Sequence, residues 1–312
     1  MTKKEFKKEE TTKEEQTPET NHAPKVRNLS PTKIADQFWC EMQLHFRLLL
    51  GMEPTEVMIA GADIHRSLEE ELGPVVEVSV ETRDDELITF ILQQYLKLKM
   101  LKDHGLTREL PVLGVLSGFP VIGIIDQLEI IEVGNEKRLL ITDYKTRKSK
   151  RAPSYEQKRR NNIQLQVYWY TLHNLLTGKF TREMFKEFLG IKEKLKPSTE
   201  LLKQLPENLT ELLTEKTPEE LLKENFKLLK QLPKLSDELQ AIYLHQKDRT
   251  IVYVERTFFH EESFETDMEW AMGYWEGKRE PNRSPQKWIC KFCQFTDKCE
   301  YYLRDYLKEK EG

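Results

Sequence analysis

Two aspartates and a lysine, in the pattern Gly123-Ile-Ile-Asp126 followed by Thr142-Asp143-Tyr144-Lys145, are residue types that can cut a phosphodiester. Apolar runs precede both acids, Val121 to Ile125 and Leu139 to Ile141. Each reads as a short buried strand, with Val133-Gly134-Asn135-Glu136 as the turn between them. Two carboxylates at the ends of paired strands can converge on one hard cation. Mg²⁺ suits such a site, because it takes a few carboxylates and completes its shell with water and substrate phosphate. Lys145 stands two residues after Asp143, so strand alternation puts both side chains on one face. Two acids, a divalent ion and an ammonium are the parts that phosphodiester hydrolysis needs. On their own, an Asp and a Lys at strand ends read more simply as solvated turn residues, so the rest of the chain has to decide.

The cysteines are the next signal. There are four, Cys40, Cys290, Cys293 and Cys299. Cys290 and Cys293 are spaced as Cys-x-x-Cys, and five residues separate Cys293 from Cys299. Four thiolates can hold zinc or an iron–sulfur cluster. A zinc ribbon usually shows two Cys-x-x-Cys knuckles, and this chain has one. Cys40, beside Trp39, reads either as a buried apolar thiol or as the fourth ligand that the C-terminal three lack. Disulfides fit poorly, because no secretory signal is visible and the spacing is that of a metal site. One four-cysteine metal site tying the two chain ends together is the favoured reading. The spacing leaves zinc and cluster both open.

Two helices carry further candidates. Ile64, Leu68 and Leu72 recur at helical spacing around His65, which shares a face with Glu69. A lone helix histidine is ordinary, but two strand acids make it a credible third ligand. Gln164 and Tyr168 share a face of a helix expected from about Gln157 to Leu176. There Gln164 could bond near the acids or the DNA and Tyr168 could contact a strand, although plain amphipathicity would give the same pattern.

Taken in order, these residues resemble one family. Trp39-Cys40, His65-x-x-Leu68-Glu69, Gly123-Ile-Ile-Asp126, Asp143-Tyr-Lys-Thr-Arg147, Gln164-x-x-x-Tyr168 and the terminal Cys290-x2-Cys293-x5-Cys299 are similar to the RecB-type branch of the PD-(D/E)XK nucleases that carries an iron–sulfur cluster. Within that branch the chain resembles the exonuclease V family. The likeness runs from about Ser30 to Tyr302. It is close over Trp270 to Tyr301, through Gly273-Tyr-Trp-Glu-Gly-Lys-Arg-Glu-Pro281 and Trp288-Ile-Cys-Lys-Phe-Cys293, and at Ile242-Tyr-Leu-His-Gln246. Single motifs of this kind are weak; their ordered combination is specific.

The resemblance implies an α/β fold with a restriction-endonuclease-like core, a central mixed sheet flanked by helices. It implies a helical insertion at 181–238, and an iron–sulfur-stapled subdomain in which 286–302 pairs with Cys40. The activity implied is a metal-dependent, single-strand-specific DNA exonuclease of DNA repair or genome maintenance. By that likeness His65, Asp126 and Asp143 hold Mg²⁺ (or Mn²⁺). Lys145 is the catalytic lysine, and Gln164 and Tyr168 complete the catalytic set. Cys40, Cys290, Cys293 and Cys299 carry a [4Fe–4S] cluster. Asp143 stands where the superfamily often has Glu.

Composition agrees with this reading. The 312-residue chain is long enough for a full core. Its charged fraction of 33% and mean hydropathy of −0.65 mark a soluble chain. No run approaches the length of a membrane span. The lysine- and glutamate-mixed start has neither the apolar core of a signal peptide nor the Arg-rich, acid-poor make-up of a mitochondrial presequence. Residues 1–28 read as a disordered tail and 29–312 as one nuclease domain. The expected setting is intracellular, cytoplasmic or nuclear. The expected form is a monomer, with single-stranded DNA as partner and a single-strand-binding protein as a second candidate. The net charge is −4, yet Lys137 to Arg160 holds ten Lys or Arg against two acids. Arg147, Lys148, Lys150 and Arg151 are therefore the expected contacts to the phosphate backbone.

The elements that must position these residues follow from local signals. Ser30-Pro31 starts a helix that should run to about Leu50 with Cys40 near its middle. The His65 helix and a strand from Val75 to Glu81 come next. A helix from Asp84 to about Lys102 is closed by Gly105. Central strands span Pro111 to Tyr144, with Ser117-Gly118 as a tight turn. Tyr243 to Phe259 reads as a hairpin turning at Lys247-Asp248, and Glu262 to Gly277 as a last helix. Rival readings are a CRISPR-associated RecB-like nuclease, a non-catalytic DNA-binding iron–sulfur protein, and a zinc-stapled interaction protein.

Overall fold

The structure is a computed structural model, and it describes residues 23–73, 75–191 and 194–303. Residues 1–22 of the expected tail lie outside the described residues. Ala23 and Val26 are partly buried against a helical core.

Helix α1 (Pro31–Leu50) starts as its sequence requires. The Ser30 hydroxyl accepts from the Lys33 amide at 3.1 Å, and Pro31 fills the first turn. The helix does not run unbroken. Cys40 is extended (φ −166°, ψ 109°), so the expected continuous helix through Cys40 is corrected to two segments meeting at that residue. The C-terminal segment explains the break. The Met42 amide donates to the Asn282 carbonyl, and the Asn282 amide donates to the fully buried Glu41 carboxylate. Bonds across 240 or so residues thus replace bonds within the helix.

Helices α2 (Glu56–Glu70) and α3 (Arg83–His104) follow, capped by Thr55 and Thr82, with Gly105 left-handed (φ 76°) at the end of α3. The strand expected at Val75–Glu81 does not form. Its backbone finds a side-chain partner instead: the Ser79 amide donates to Gln204 Oε1, and Gln204 Nε2 donates back to the Ser79 carbonyl. An amide side chain has taken the place of a neighbouring strand.

Strands β1 (Leu106–Leu116), β2 (Phe119–Val133) and β3 (Glu136–Arg147) form an antiparallel meander. Ser117 and Gly118 both have positive φ, as a two-residue hairpin turn demands. Helix α4 (Tyr155–Thr177) opens with a Ser154–Gln157 capping box. Four short helices come after it, α5 (Arg182–Phe188), α6 (Thr199–Gln204), α7 (Glu207–Glu215) and α8 (Pro218–Leu229). Strand β4 (Leu235–His245) then pairs parallel to β3, and β5 (Ile251–Phe258) closes the edge antiparallel. A parallel pair needs a crossover, and α4 to α8 are that crossover. The expected 181–238 helical stretch therefore lies within it, and its last residues already belong to β4. Helix α9 (Glu261–Trp275) and a 3₁₀ turn (Lys287–Phe292) come next, and the described chain closes on helical residues 300–303. The result is an α/β fold with a five-stranded mixed sheet, order β1-β2-β3-β4-β5, flanked by helices.

Two cores divide the interior. The larger joins the sheet to α3, α4 and the crossover helices, through residues such as Ile91, Leu98, Leu128, Ile141, Leu172 and Leu221. The smaller joins α1 and α9 to α4 and the β1–β2 turn end, through Ile34, Leu44, Val167, Met268 and Met272. Glu41 is the polar pin of this second unit. It is 0% exposed and takes both guanidinium nitrogens of Arg279, at 2.5 and 2.6 Å, along with a bond from Gln37. Removing one partner of a buried pair strands the other charge, which costs about 3–5 kcal/mol. Arg279→Ala should lower stability by about that amount in denaturant unfolding, and Glu41→Gln in the same background should restore part of it.

Candidate active site

The three central strands bring acids together by register alone. In the β2–β3 ladder Gln127 faces Thr142, so the next positions, Asp126 and Asp143, face each other where that ladder stops. In the β1–β2 ladder Arg108 faces Gln127 and Leu110 faces Ile125, so Glu109 faces Asp126 across a gap in the pairing. Glu109, Asp126 and Asp143 thus form one row across three neighbouring strands. The lapse in pairing frees backbone groups for the site. The Tyr144 amide donates to Asp126 Oδ2 at 2.7 Å rather than to a strand carbonyl.

The other groups arrive from helices. Lys145 Nζ lies 2.9 Å from Asp143 Oδ2 and donates to Gln164 Oε1 of α4 at 2.9 Å. Gln164 Nε2 reaches the Tyr168 hydroxyl at 3.5 Å. Tyr168 packs against β2, where a Cβ at Gly123 would meet its ring at 2.7 Å and the Pro31 ring at 2.8 Å. Glycine at 123 is what lets α1 and α4 approach the strand bearing Asp126. His65 of α2 turns Nδ1 toward the row, 3.5 Å from Glu109 Oε1 and 3.7 Å from Asp126 Oδ2. So His65, Asp126, Asp143, Lys145, Gln164 and Tyr168 do converge. Glu69 does not join them; it pairs with Lys97 of α3.

Glu109 was missed by sequence reasoning. It sits in Arg108-Glu109-Leu110-Pro111, upstream of the recognised motifs, and its strand was expected to begin only at Pro111. Counting back one hairpin from Asp126, through the Ser117-Gly118 turn, would have placed it opposite that acid.

The donor set suits a divalent cation. His65, Glu109 and Asp126 each offer one ligand atom, and these atoms lie within 4.8 Å of one another. Asp143 Oδ2 is buried, and its approach to Lys145 is not directed as a hydrogen bond, so a lone pair is left over. The electrostatics say the same. Burial, and then the Asp143 charge, push the Asp126 carboxyl well above the usual carboxylate range, against the pull of His65 and Lys145. Burial would lower the His65 imidazole, but its bond to Glu109 and the Asp126, Glu109 and Asp143 charges outweigh that and raise it to about 9.

The expected DNA contacts are unequal. Lys148, Lys150 and Arg151 are exposed beyond β3, while Arg147 is half-buried over the Tyr243 ring. Lys150 is already paired with Asp248 of the β4–β5 turn, at 2.6 Å.

The cysteines gather between α1 and the segment after α9. Cys40, Cys290, Cys293 and Cys299 line one cavity of about 370 Å³, with Phe46, Trp288 and Ile289. Burial pushes the Cys40 and Cys293 thiols up. Among the described residues no three of these sulfur atoms come within 4.8 Å of one another.

The sign of the pH dependence follows from the two shifts. His65 is raised above its unfolded value of about 6.5, so its contribution to stability is complete below that pH and is lost as pH rises through about 9. Asp126 is raised as well, so its ionisation also weakens the fold as pH rises. In buffer free of divalent ions the melting temperature should fall between pH 6.5 and 9, and Asp126→Asn should flatten that fall.

The family model for exonuclease V, described as a 5′ deoxyribonuclease, matches residues 21–138, 132–225 and 206–302. Exonuclease V of Danio rerio is 30% identical over 285 residues, covering 88% of this chain and 70% of the relative. The crystal structure of SSO0001 superposes with a TM-score of 0.38 at 13% identity, covering 90% of this chain and 89% of that one, a likeness too slight to carry any argument. No helix among the described residues is long and apolar enough to cross a membrane. A row of strand acids beside a lysine and a histidine, inside a chain matched almost throughout, gives one conclusion: this protein belongs to the exonuclease V family of 5′ deoxyribonucleases, phosphodiester hydrolases acting on DNA.

Proposed function

We propose that the chain is a Mg²⁺-dependent exonuclease specific for single-stranded DNA, serving repair or genome maintenance inside the cell, in cytoplasm or nucleus. The observation that carries this reading is the alignment of Asp126 and Asp143 in one row with Lys145 at 2.9 Å. His65, Asp126 and Asp143 would hold the ion, with Mn²⁺ as an alternative. When bound, it supplies Lewis acidity at the scissile phosphate. Lys145 then orients the attacking water or offsets the negative charge building on the phosphorus-bound oxygens. Gln164 fixes the ammonium, and Tyr168 fixes Gln164 through the 3.5 Å contact. Lys148 and Arg151, with Arg147 and Lys150 nearer the sheet, would track the phosphate backbone. Single-stranded DNA is the partner, a single-strand-binding protein a second candidate, and the chain acts as a monomer.

Mg²⁺-dependent loss of end-labelled linear single-stranded DNA, with circles left intact, is the expected result. Asp126→Ala and Lys145→Ala should each remove cutting while both variants keep the parent's far-UV circular dichroism spectrum at the assay temperature. Cutting of circles would move the reading to an endonuclease, and binding without cutting to a non-catalytic DNA-binding protein.

The four cysteines would carry a [4Fe–4S] cluster with a structural role, stapling 286–302 to α1 in a single 29–312 nuclease domain whose 181–238 segment is a helical insertion. The lining of one cavity by all four cysteines supports one shared occupant. Cys293→Ser should cost the anaerobically purified protein its brown colour and lower its melting temperature. Zinc in place of iron by metal analysis would refute the cluster.

A further inference from the structure

Glu109 takes a backbone conformation that its type disfavours. It has φ +53° in the interior of β1, where neighbouring residues are extended. A non-glycine residue in the left-handed region is strained and persists only where the surroundings impose it. Irregular positions in strands next to active sites commonly re-aim a side chain. Here the effect is to bring Glu109 Oε1 to 3.5 Å from His65 Nδ1, with Asp126 Oδ2 at 3.7 Å from that same nitrogen. A third carboxylate beside Asp126 and Asp143 is unfavourable by itself, since like charges crowd. Strain and repulsion are thus spent at one residue, and a cation shared by these atoms would compensate both.

We propose that Glu109 is a protein ligand of the divalent ion, on the face of the site that it shares with His65 and Asp126. The proposal rests on the metal-dependent reading above. Its three donor atoms are grouped within 4.8 Å, a span compatible with neighbouring positions in one ion's shell. The three side chains are 12–28% exposed, so the position is reachable from solvent. A ligand acts through its charge. A residue that merely orients His65 acts through a hydrogen bond, which a glutamine can also make.

The test is Mn²⁺ binding to the full chain without DNA, followed by the electron paramagnetic resonance of free Mn²⁺, for the parent, Glu109→Gln, Glu109→Asp and Asp126→Ala. A ligand role predicts affinity about tenfold or more weaker in Glu109→Gln, with part of the loss recovered in Glu109→Asp. It also predicts a crossover in melting temperature. Without divalent ions Glu109→Gln should melt at or above the parent, because a crowded charge is gone; with saturating Mn²⁺ it should melt below, because less binding free energy is gained. Binding by Glu109→Gln within twofold of the parent, while Asp126→Ala loses it, would overturn the ligand role alone. A parent that binds no Mn²⁺, or an Asp126→Ala variant that binds it equally well, would overturn the metal-dependent reading and this proposal with it.

Discussion

Like-charge crowding at the centre of the sheet is the constraint on which the rest of the structure depends. Three carboxylates on adjacent strands, two of them facing Asp126 by register, repel one another in a partly dry site. Everything nearby is arranged to tolerate them. The ladders lapse beside them, freeing the Tyr144 amide for Asp126. Lys145 brings one positive charge along the strand, and α2 brings a histidine that the acids keep protonated near neutral pH. A fold that holds such a cluster gives up stability for function.

The supporting elements are placed by that need. Helix α4 reaches along the sheet and offers Gln164 to Lys145, and it can lie close only because β2 carries glycine at 123. The same helix joins the larger core through Leu165, Leu172 and Leu175 and the smaller one through Ile163 and Val167. One rigid element thereby links the acid row to the unit built from the two ends of the described chain.

Much of this was legible in the residues. The meander, its two turns, the helix cap at Ser30 and the shared face of Asp143 and Lys145 follow from local pattern, because alternation and capping are short-range rules, whereas Gln164 was set beside them by the ordered likeness of motifs. What escaped was non-local. The Val75–Glu81 segment alternates like a strand, yet a glutamine 125 residues away occupies its backbone groups. Cys40 sits in a helical pattern, yet the carbonyl of Asn282 claims the amide of Met42. Glu109 carries no motif, and its role emerges only when register sets it opposite Asp126. In each case the deciding partner lies on another element, where periodicity cannot see it.

The Glu41–Arg279 clamp spans 238 positions of sequence. The acid row, by contrast, is complete once β3 has been made, at Arg147. During synthesis, then, the charged centre exists well before the clamp and the cysteine-lined cavity can close. Contacts of such separation form late, because loop closure must be met before they give anything back. A ribosome-bound fragment would therefore hold the acids without the α1–α9 unit around them. The order of emergence itself delays closure of the α1–α9 unit until Arg279 has left the exit tunnel.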